Sequence, residues 1–145
     1  MRALLQRVNH SQVKVNGKTI ADIDLGMLIL LGIGQEDSPE KTAVLAKKIA
    51  QLRIFEDDQG KMNLSLIDVQ GRAIVVSQFT LYADTRKGNR PSFVNAAPPE
   101  FARKLCDQFT EDLRGFGIPV QTGEFGAHML VDLENDGPVT IWLEV

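Results

Sequence analysis

The chain opens on strand-like patterns and turns helical only after residue 38. Arg2 to His10 reads as a first strand, Gln12-Val13-Lys14-Val15 alternates again, and Asn16-Gly17 supplies the two-residue turn that a tight hairpin favours. Lys18 to Ile23 is the returning strand. Met27-Leu28-Ile29-Leu30-Leu31-Gly32-Ile33 is almost continuously apolar, as expected of a central strand covered on both faces. Ser38-Pro39 marks a helix start, with Ser as N-cap and Pro at the first helical position. Val44, Leu45, Ile49 and Leu52 recur at helical spacing while Lys47 and Lys48 fall off that face, and the helix is expected to end near Phe55.

In the second half, Lys61 to Asp68 reads as a short strand and Gln70-Gly71 as a turn. Ala73-Ile74-Val75-Val76 is a buried β-branched strand whose end, Ser77-Gln78-Phe79-Thr80-Leu81-Tyr82, changes to hydroxyl, amide and aromatic groups. A long loop, Ala83 to Ala97, is rich in turn and basic residues, a length that in compact domains points to function or disorder. Pro98-Pro99 opens a second helix with an apolar stripe of Phe101, Leu105, Phe109, Leu113 and Phe116, stopped by Gly115 and Gly117. Ile118 to Thr122, Ala127 to Leu133 and Val139 to Val145 read as three closing strands. No linker or repeat divides the chain. The expected fold is a single α/β domain over residues 1–145, with a mixed or mostly antiparallel, barrel-like sheet and two main helices.

Composition narrows the function. The chain has 145 residues, 43% apolar and 24% charged, which is enough for one sizeable core. No apolar run spans a bilayer and the N-terminal residues lack a leader pattern, so a cytoplasmic protein with no membrane partner is expected. The single Cys106 fits a reducing compartment and a packing role. A net charge of −3 argues against broad nucleic-acid binding, and no DNA partner is expected, but it permits a local basic site.

The candidate chemistry is defined largely by what is missing. His10 and His128 lie far apart and no spacing fits zinc, so neither a metal nor another cofactor is expected. There is no G-x-S-x-G elbow around Ser77 and no evident carboxylate pair, so an enzyme built this way has no obvious side-chain base. Gly32-Ile33-Gly34 lacks the third glycine of a dinucleotide fingerprint and reads as turn glycines. Arg86, Lys87 and Arg90 fit a solvated loop and a phosphate contact about equally. Asn135-Asp136-Gly137-Pro138-Val139-Thr140 reads as an ordinary turn between two strands. A cis bond before Pro138 would set two carbonyl oxygens side by side, able to accept from an ammonium group.

Together, Ser77-Gln78-Phe79-Thr80-Leu81-Tyr82 and Asn135-Asp136-Gly137-Pro138-Val139-Thr140 resemble the two signature motifs of the D-aminoacyl-tRNA deacylases. Gln6-Arg7-Val8, Lys61 to Leu66, Arg90 to Phe93 and Gly123 to Met129 are also similar to segments of that family. The resemblance implies a homodimeric hydrolase of the ester joining a D-amino acid, or glycine, to the terminal adenosine of tRNA. It implies that Gln78, Phe79 and Thr80 surround the scissile carbonyl beside Ser77. It further implies that Gly137 and Pro138, in a cis motif held by Arg7, complete the other subunit's pocket. Arg86, Lys87 and Arg90 are candidates for gripping the tRNA. The nucleophile is either the Thr80 hydroxyl or the tRNA's own 2′-hydroxyl; the lack of a base favours the second. The competing readings are a non-catalytic RNA-end binding module and a general small-ester hydrolase using Ser77 or Thr80.

Overall fold

The computed structural model describes residues Met1–Val145. The sequence folds into a mixed sheet rolled into a nearly closed barrel, with two helices packed on its outside. The strands are β1 (Arg2–Val15), β2 (Lys18–Ile23), β3 (Gly26–Gly32), β4 (Phe55–Glu56), β5 (Met62–Leu64), β6 (Arg72–Ser77), β7 (Val120–Thr122) and β8 (Leu130–Glu144). The helices are α1 (Pro39–Ala50) and α2 (Pro99–Arg114). The main sheet runs β2-β1-β3-β6-β7, with β8 on the other side of β1, while β4 and β5 form a separate ribbon. β1 pairs antiparallel with β2, β3 and β8, and β6 runs parallel to both β3 and β7. The helices serve as the crossovers that parallel neighbours require. The Asp22 N–H donates to Gln121 Oε1 (2.8 Å) and Gln121 Nε2 donates to the Asp22 carbonyl (2.6 Å), which draws β7 toward β2 and nearly closes the barrel.

The apolar run of β3 is covered on both faces, as its composition demands. Met27, Ile29 and Leu31 join Ala73, Val75, Leu45, Ile49, Leu105, Phe109 and Leu113 beneath the helices. Leu28 joins Val8, Val13, Ala21, Ile23, Ile74 and Val76 inside the barrel. β3 and β6 approach so closely at one point that a Cβ on Gly26 would lie 1.8 Å from the Arg72 carbonyl oxygen, so only glycine fits there.

Several local expectations are corrected. β1 is one strand of 14 residues, carried past His10 by a bulge in which Val8 faces Asn135 and His10 faces Glu134, leaving Asn9 unpaired. Helix α1 stops at Ala50 rather than near Phe55, because Ile54 and Phe55 turn into the core. Val44 lies off the buried face, which is made by Thr42, Leu45, Ala46, Ile49 and Ala50. Of the α2 stripe, Leu105, Phe109 and Leu113 are buried, but Phe101 is exposed and Phe116 half-buried. The strand expected over 61–68 is only Met62–Leu64, since the Ser65 N–H and hydroxyl both donate to the Asp68 carboxylate (2.8 and 2.6 Å) and close a turn. The strand expected from Ile118 starts only at Val120. The Pro119 carbonyl still accepts from the Ala73 N–H (3.0 Å), but proline has no N–H to extend the ladder. The two last strands are one, β8, which passes through Gly137-Pro138 instead of turning there. No helix is long and apolar enough to cross a membrane.

Phe109→Ala is expected to cost about 3–5 kcal/mol in urea unfolding, because Phe109 is wholly buried beneath the helices. Val44→Ala, on the exposed side of α1, is expected to stay within about 0.5 kcal/mol of the parent.

Candidate active site

Strand β6 ends on a ladder bond from the Gln78 N–H to the Leu31 carbonyl (2.8 Å). The chain then leaves the sheet. The strand end anticipated through Tyr82 is instead a 3₁₀ turn over Phe79–Tyr82, closed by Leu81 N–H to Gln78 O (3.2 Å) and Ala83 N–H to Thr80 O (3.0 Å). The first N–H groups of such a turn have no acceptor within it. Those of Phe79 and Thr80 donate to no turn, loop or cap carbonyl either. They are two adjacent donors on a fixed backbone. Gln78 Nε2 donates to Thr80 Oγ1, so that hydroxyl faces an amide and not a base.

The back of the turn is fully engaged. Arg2 Nη1 donates to the Leu81 carbonyl (3.0 Å), and its guanidinium lies 4.3 Å from the centre of the Tyr82 ring. The Tyr82 hydroxyl donates to Asp37 Oδ2 (3.2 Å), which also accepts from the Gly34 N–H (2.7 Å). Burial and the neighbouring Asp37 charge raise the Tyr82 phenol well above its usual range. Burial pushes the Asp37 carboxyl up, but the Met1 ammonium, the Gly34 N–H and Lys41 outweigh it and hold the group below its usual range. The glycines read as turn residues are close-approach residues. A Cβ on Gly34 would lie 2.6 Å from the Tyr82 hydroxyl, and one on Gly32 3.1 Å from the Gln78 carbonyl oxygen.

In front of the turn lies a cavity of about 310 Å³. Leu31 and Ile33 from the end of β3, Val76, Ser77, Gln78 and Phe79, Ala102 and Cys106 from α2, and Phe125 to Met129 enclose it. Its lining carries no carboxylate and no lysine or arginine. Cys106 is buried, which pushes its thiol up to about 12 and keeps it neutral. His128 lines the cavity, is exposed, and forms no ion pair. Arg103 lies over the Phe125 ring (4.7 Å) and donates to the Phe125 carbonyl (3.5 Å), tying this wall to α2. No group of three His, Cys, Asp or Glu residues is arranged to hold a metal.

The other signature lies elsewhere on the molecule. Gln6 faces Thr140 and Val8 faces Asn135, so Arg7 alone spans what Asp136 to Val139 must cross. The surplus residues stand out from the sheet. The Gly137–Pro138 bond is cis, both residues are exposed, and neither lines the cavity of its own chain. Buried Arg7 underlies the excursion, with Nε 2.8 Å from Asp136 Oδ2, Nη1 donating to the Ile54 carbonyl (2.7 Å) and Nη2 3.7 Å from Glu56 Oε1. Asn135 Nδ2 donates to the Val139 carbonyl and to Thr140 Oγ1, both at 3.3 Å. Gly137 has φ +116, and a Cβ there would lie 2.8 Å from Val139 Cγ2 and 3.1 Å from Arg7 Nη2. On the basic loop, Arg86 is bound to Asp84 (2.9 and 2.6 Å), whose carboxyl is drawn down to about 2, while Lys87 and Arg90 are exposed.

The structure therefore gathers Ser77, Gln78 and Phe79 at one cavity, with Thr80 next in the adjoining turn and outside the lining, and Arg7, Gly137 and Pro138 at a separate projection. The sequence reading assigned no role to the Phe125–Met129 wall, to Arg103, or to the Arg2–Tyr82–Asp37 group behind the turn. The glycines at 123 and 126 were the available signal for that wall: a Cβ on Gly123 would meet Met129 Sδ at 2.6 Å.

The cavity is lined mostly by apolar side chains, has the Phe79 main chain at its edge, and carries no carboxylate, lysine or arginine. The model of the family described as D-Tyr-tRNA(Tyr) deacylase matches residues 4–144. A D-aminoacyl-tRNA deacylase of Thermomicrobium roseum is 60% identical over 144 residues, covering 99% of this chain and 94% of that one. One from Desulfatibacillum aliphaticivorans is 58% identical, with 99% of each chain covered. The solved structure of a c-Myc DNA unwinding element binding protein superposes with a TM-score of 0.94 at 42% identity, over 100% of this chain and 99% of that one. The structure described as a probable eukaryotic D-amino acid tRNA deacylase gives 0.86 at 18% identity, a likeness of fold. The chain belongs to the D-aminoacyl-tRNA deacylase family, which are ester hydrolases.

Arg7→Ala is expected to lower stability by about 2–3 kcal/mol in denaturant titration, because it strips the Ile54 carbonyl and Asp136 of their partner. Cys106 is expected to resist a thiol reagent at pH 8 in the native protein and to react at an ordinary rate once urea unfolds it. A thiol titrating near 12 supplies almost no thiolate at that pH.

Proposed function

We propose that this protein hydrolyses the ester between a D-amino acid, or glycine, and the 3′-terminal adenosine of tRNA, and that it spares L-aminoacyl-tRNA. The observation that carries the reading is the pair of unpartnered N–H groups at Phe79 and Thr80, at the mouth of a cavity without a charged base. They would bind the oxyanion as the ester carbonyl is attacked, with Gln78 and Ser77 beside it. Thr80 is a poor nucleophile next to an amide, so we assign the activation of the attacking water to the ribose 2′-OH of the substrate: water adds to the ester carbonyl, the ribose 3′-oxygen leaves with a proton, and the free amino acid is released. No metal or cofactor enters this scheme.

Chirality needs a further fixed point. D- and L-aminoacyl groups carry the same substituents, so attraction to any one of them discriminates poorly. We assign the remaining point to Gly137 and Pro138 of a second subunit in a homodimer. Their exposure, and their absence from the cavity of their own chain, support that assignment. The two carbonyls would accept from the substrate ammonium. A D side chain then points to solvent, glycine has none, and an L side chain drives its Cβ into main chain. Twofold symmetry would give each subunit the projection it lacks. Lys87 and Arg90, with Arg86 partly neutralised by Asp84, would meet the phosphates of the tRNA. The reaction belongs with translation in the cytoplasm.

Release of D- and L-tyrosine from matched charged tRNAs tests the reading. Cleavage of the D form alone is expected; intact D-tyrosyl-tRNA would favour a binding module, and equal cleavage of both would end the chiral assignment. Thr80→Ala is expected to lower kcat by less than about tenfold, while a 2′-deoxy terminus lowers it by more than about 100-fold. The reverse pattern would mark a general esterase using Thr80.

A further inference from the structure

We infer that Phe79 and Phe93 form a stacking platform for the base of the unpaired nucleotide that precedes the terminal adenosine, an inference that rests on the proposed reaction. Phe79 is 58% exposed at the cavity mouth, although a large apolar ring gains by burial. Phe93 meets it edge-on, with ring centres 5.0 Å apart and planes at 70°.

The segment carrying Phe93 is fastened on both sides. The N–H groups of Asp84 and Ser92 donate to each other's carbonyls (2.8 and 2.9 Å). Downstream, the Ala97 N–H donates to Ile33 O (2.9 Å), the Gln35 N–H to Asn95 O (3.2 Å), and the Gln35 side chain to Val94 O. The rings therefore stand on rigid backbone, and stacking on them orders little that is not already ordered.

The same ribbon supplies the charge. The Asp84–Ser92 pair closes the base of an excursion over residues 85–91. Arg86 is consumed by Asp84, whereas Lys87 and Arg90 are exposed and have no carboxylate within 4.0 Å. Exposed aromatic faces beside unspent cations are the composition of a single-strand nucleic-acid site. The order along the strand follows from one residue. In the proposed reaction the Phe79 N–H binds the ester oxygen, and the ring of the same residue is largely exposed, which puts it within reach of the nucleotide one step back from the esterified adenosine. Every base has a stackable face, so the platform reads the presence of a base rather than its identity.

A double-substitution cycle tests this. D-tyrosyl-tRNA, intact or abasic at the nucleotide before the terminal adenosine, is presented to wild type and to Phe93→Leu. With wild type, base removal is expected to raise KM on the order of tenfold. Phe93→Leu is expected to raise KM for the intact tRNA similarly, with no further loss on the abasic one, and Phe93→Tyr to restore the wild-type value. Equal losses from Phe93→Leu on both substrates, as when the rings pack against a second subunit, would overturn the platform. So would an abasic tRNA cleaved as readily as the intact one by wild type, an arm that needs no variant to fold. Failure of wild type to cleave the intact substrate at all refutes the reaction, and the platform with it.

Discussion

The antiparallel pairing of β1 with β8 is the constraint on which the rest of the molecule depends. It runs from Arg2 opposite Glu144 to Lys14 opposite Leu130, bulges at Asn9 and parts widely at Arg7. One residue on β1 there faces four on β8, and a flat ladder has no room for the surplus. The backbone groups freed at this gap still need partners, because unpaired polar groups in a folded core cost more than the bond itself returns. Asn135 supplies some from its side chain, and Arg7 fills the space beneath with a guanidinium buried against Ile54, Asp136 and Glu56. The projection is therefore a consequence of register, pinned by one charged residue that would be expensive to bury anywhere else.

The 3₁₀ turn at Phe79–Tyr82 obeys the same accounting from the opposite side. Each polar group behind Phe79–Tyr82 is spoken for, by Arg2 at the Leu81 carbonyl and by Asp37 at the Tyr82 hydroxyl. Two glycines allow β3 to press close enough for this to happen. With the back committed, the donors in front have nowhere to turn, and they need no rearrangement when charge develops before them. The proposed reaction suits that arrangement, because it takes its field and geometry from main chain and leaves reactivity to the substrate.

Much of the fold was legible in the chain because its patterns were unambiguous. Asn16-Gly17 between alternating runs, the apolar run at 27–33 and the Pro-initiated helices all form where local chemistry puts them. The failures share a cause. Val44 has helical spacing, yet which arc of α1 is buried is decided by where α2 lies, through Leu45 and Ile49. Asp136-Gly137-Pro138 has the composition of a turn, yet both flanks pair with β1, a fact 130 residues removed from the motif. Gly32 and Gly34 resemble turn glycines, and only the turn packed against them, through the Gln78 carbonyl and the Tyr82 ring, shows why they are small. The site was half legible for the same reason. The polar run at 77–80 breaks the rules of a core strand and so announces itself, whereas Phe125 and Met129 are ordinary residues until folding brings them to the cavity, and Arg2 until folding brings it behind the turn.

The distance between the ends of that long pairing has a consequence for how the molecule is made. Arg2 and Glu144 meet across 142 residues of chain. Until β8 leaves the ribosome, the outer edge of β1 is an open row of N–H and C=O groups, able to template another nascent chain. Contacts of such separation also slow folding. β1 precedes the other strands of this sheet yet waits for β8 to be satisfied, and the interval between is when its edge is most exposed to misassembly.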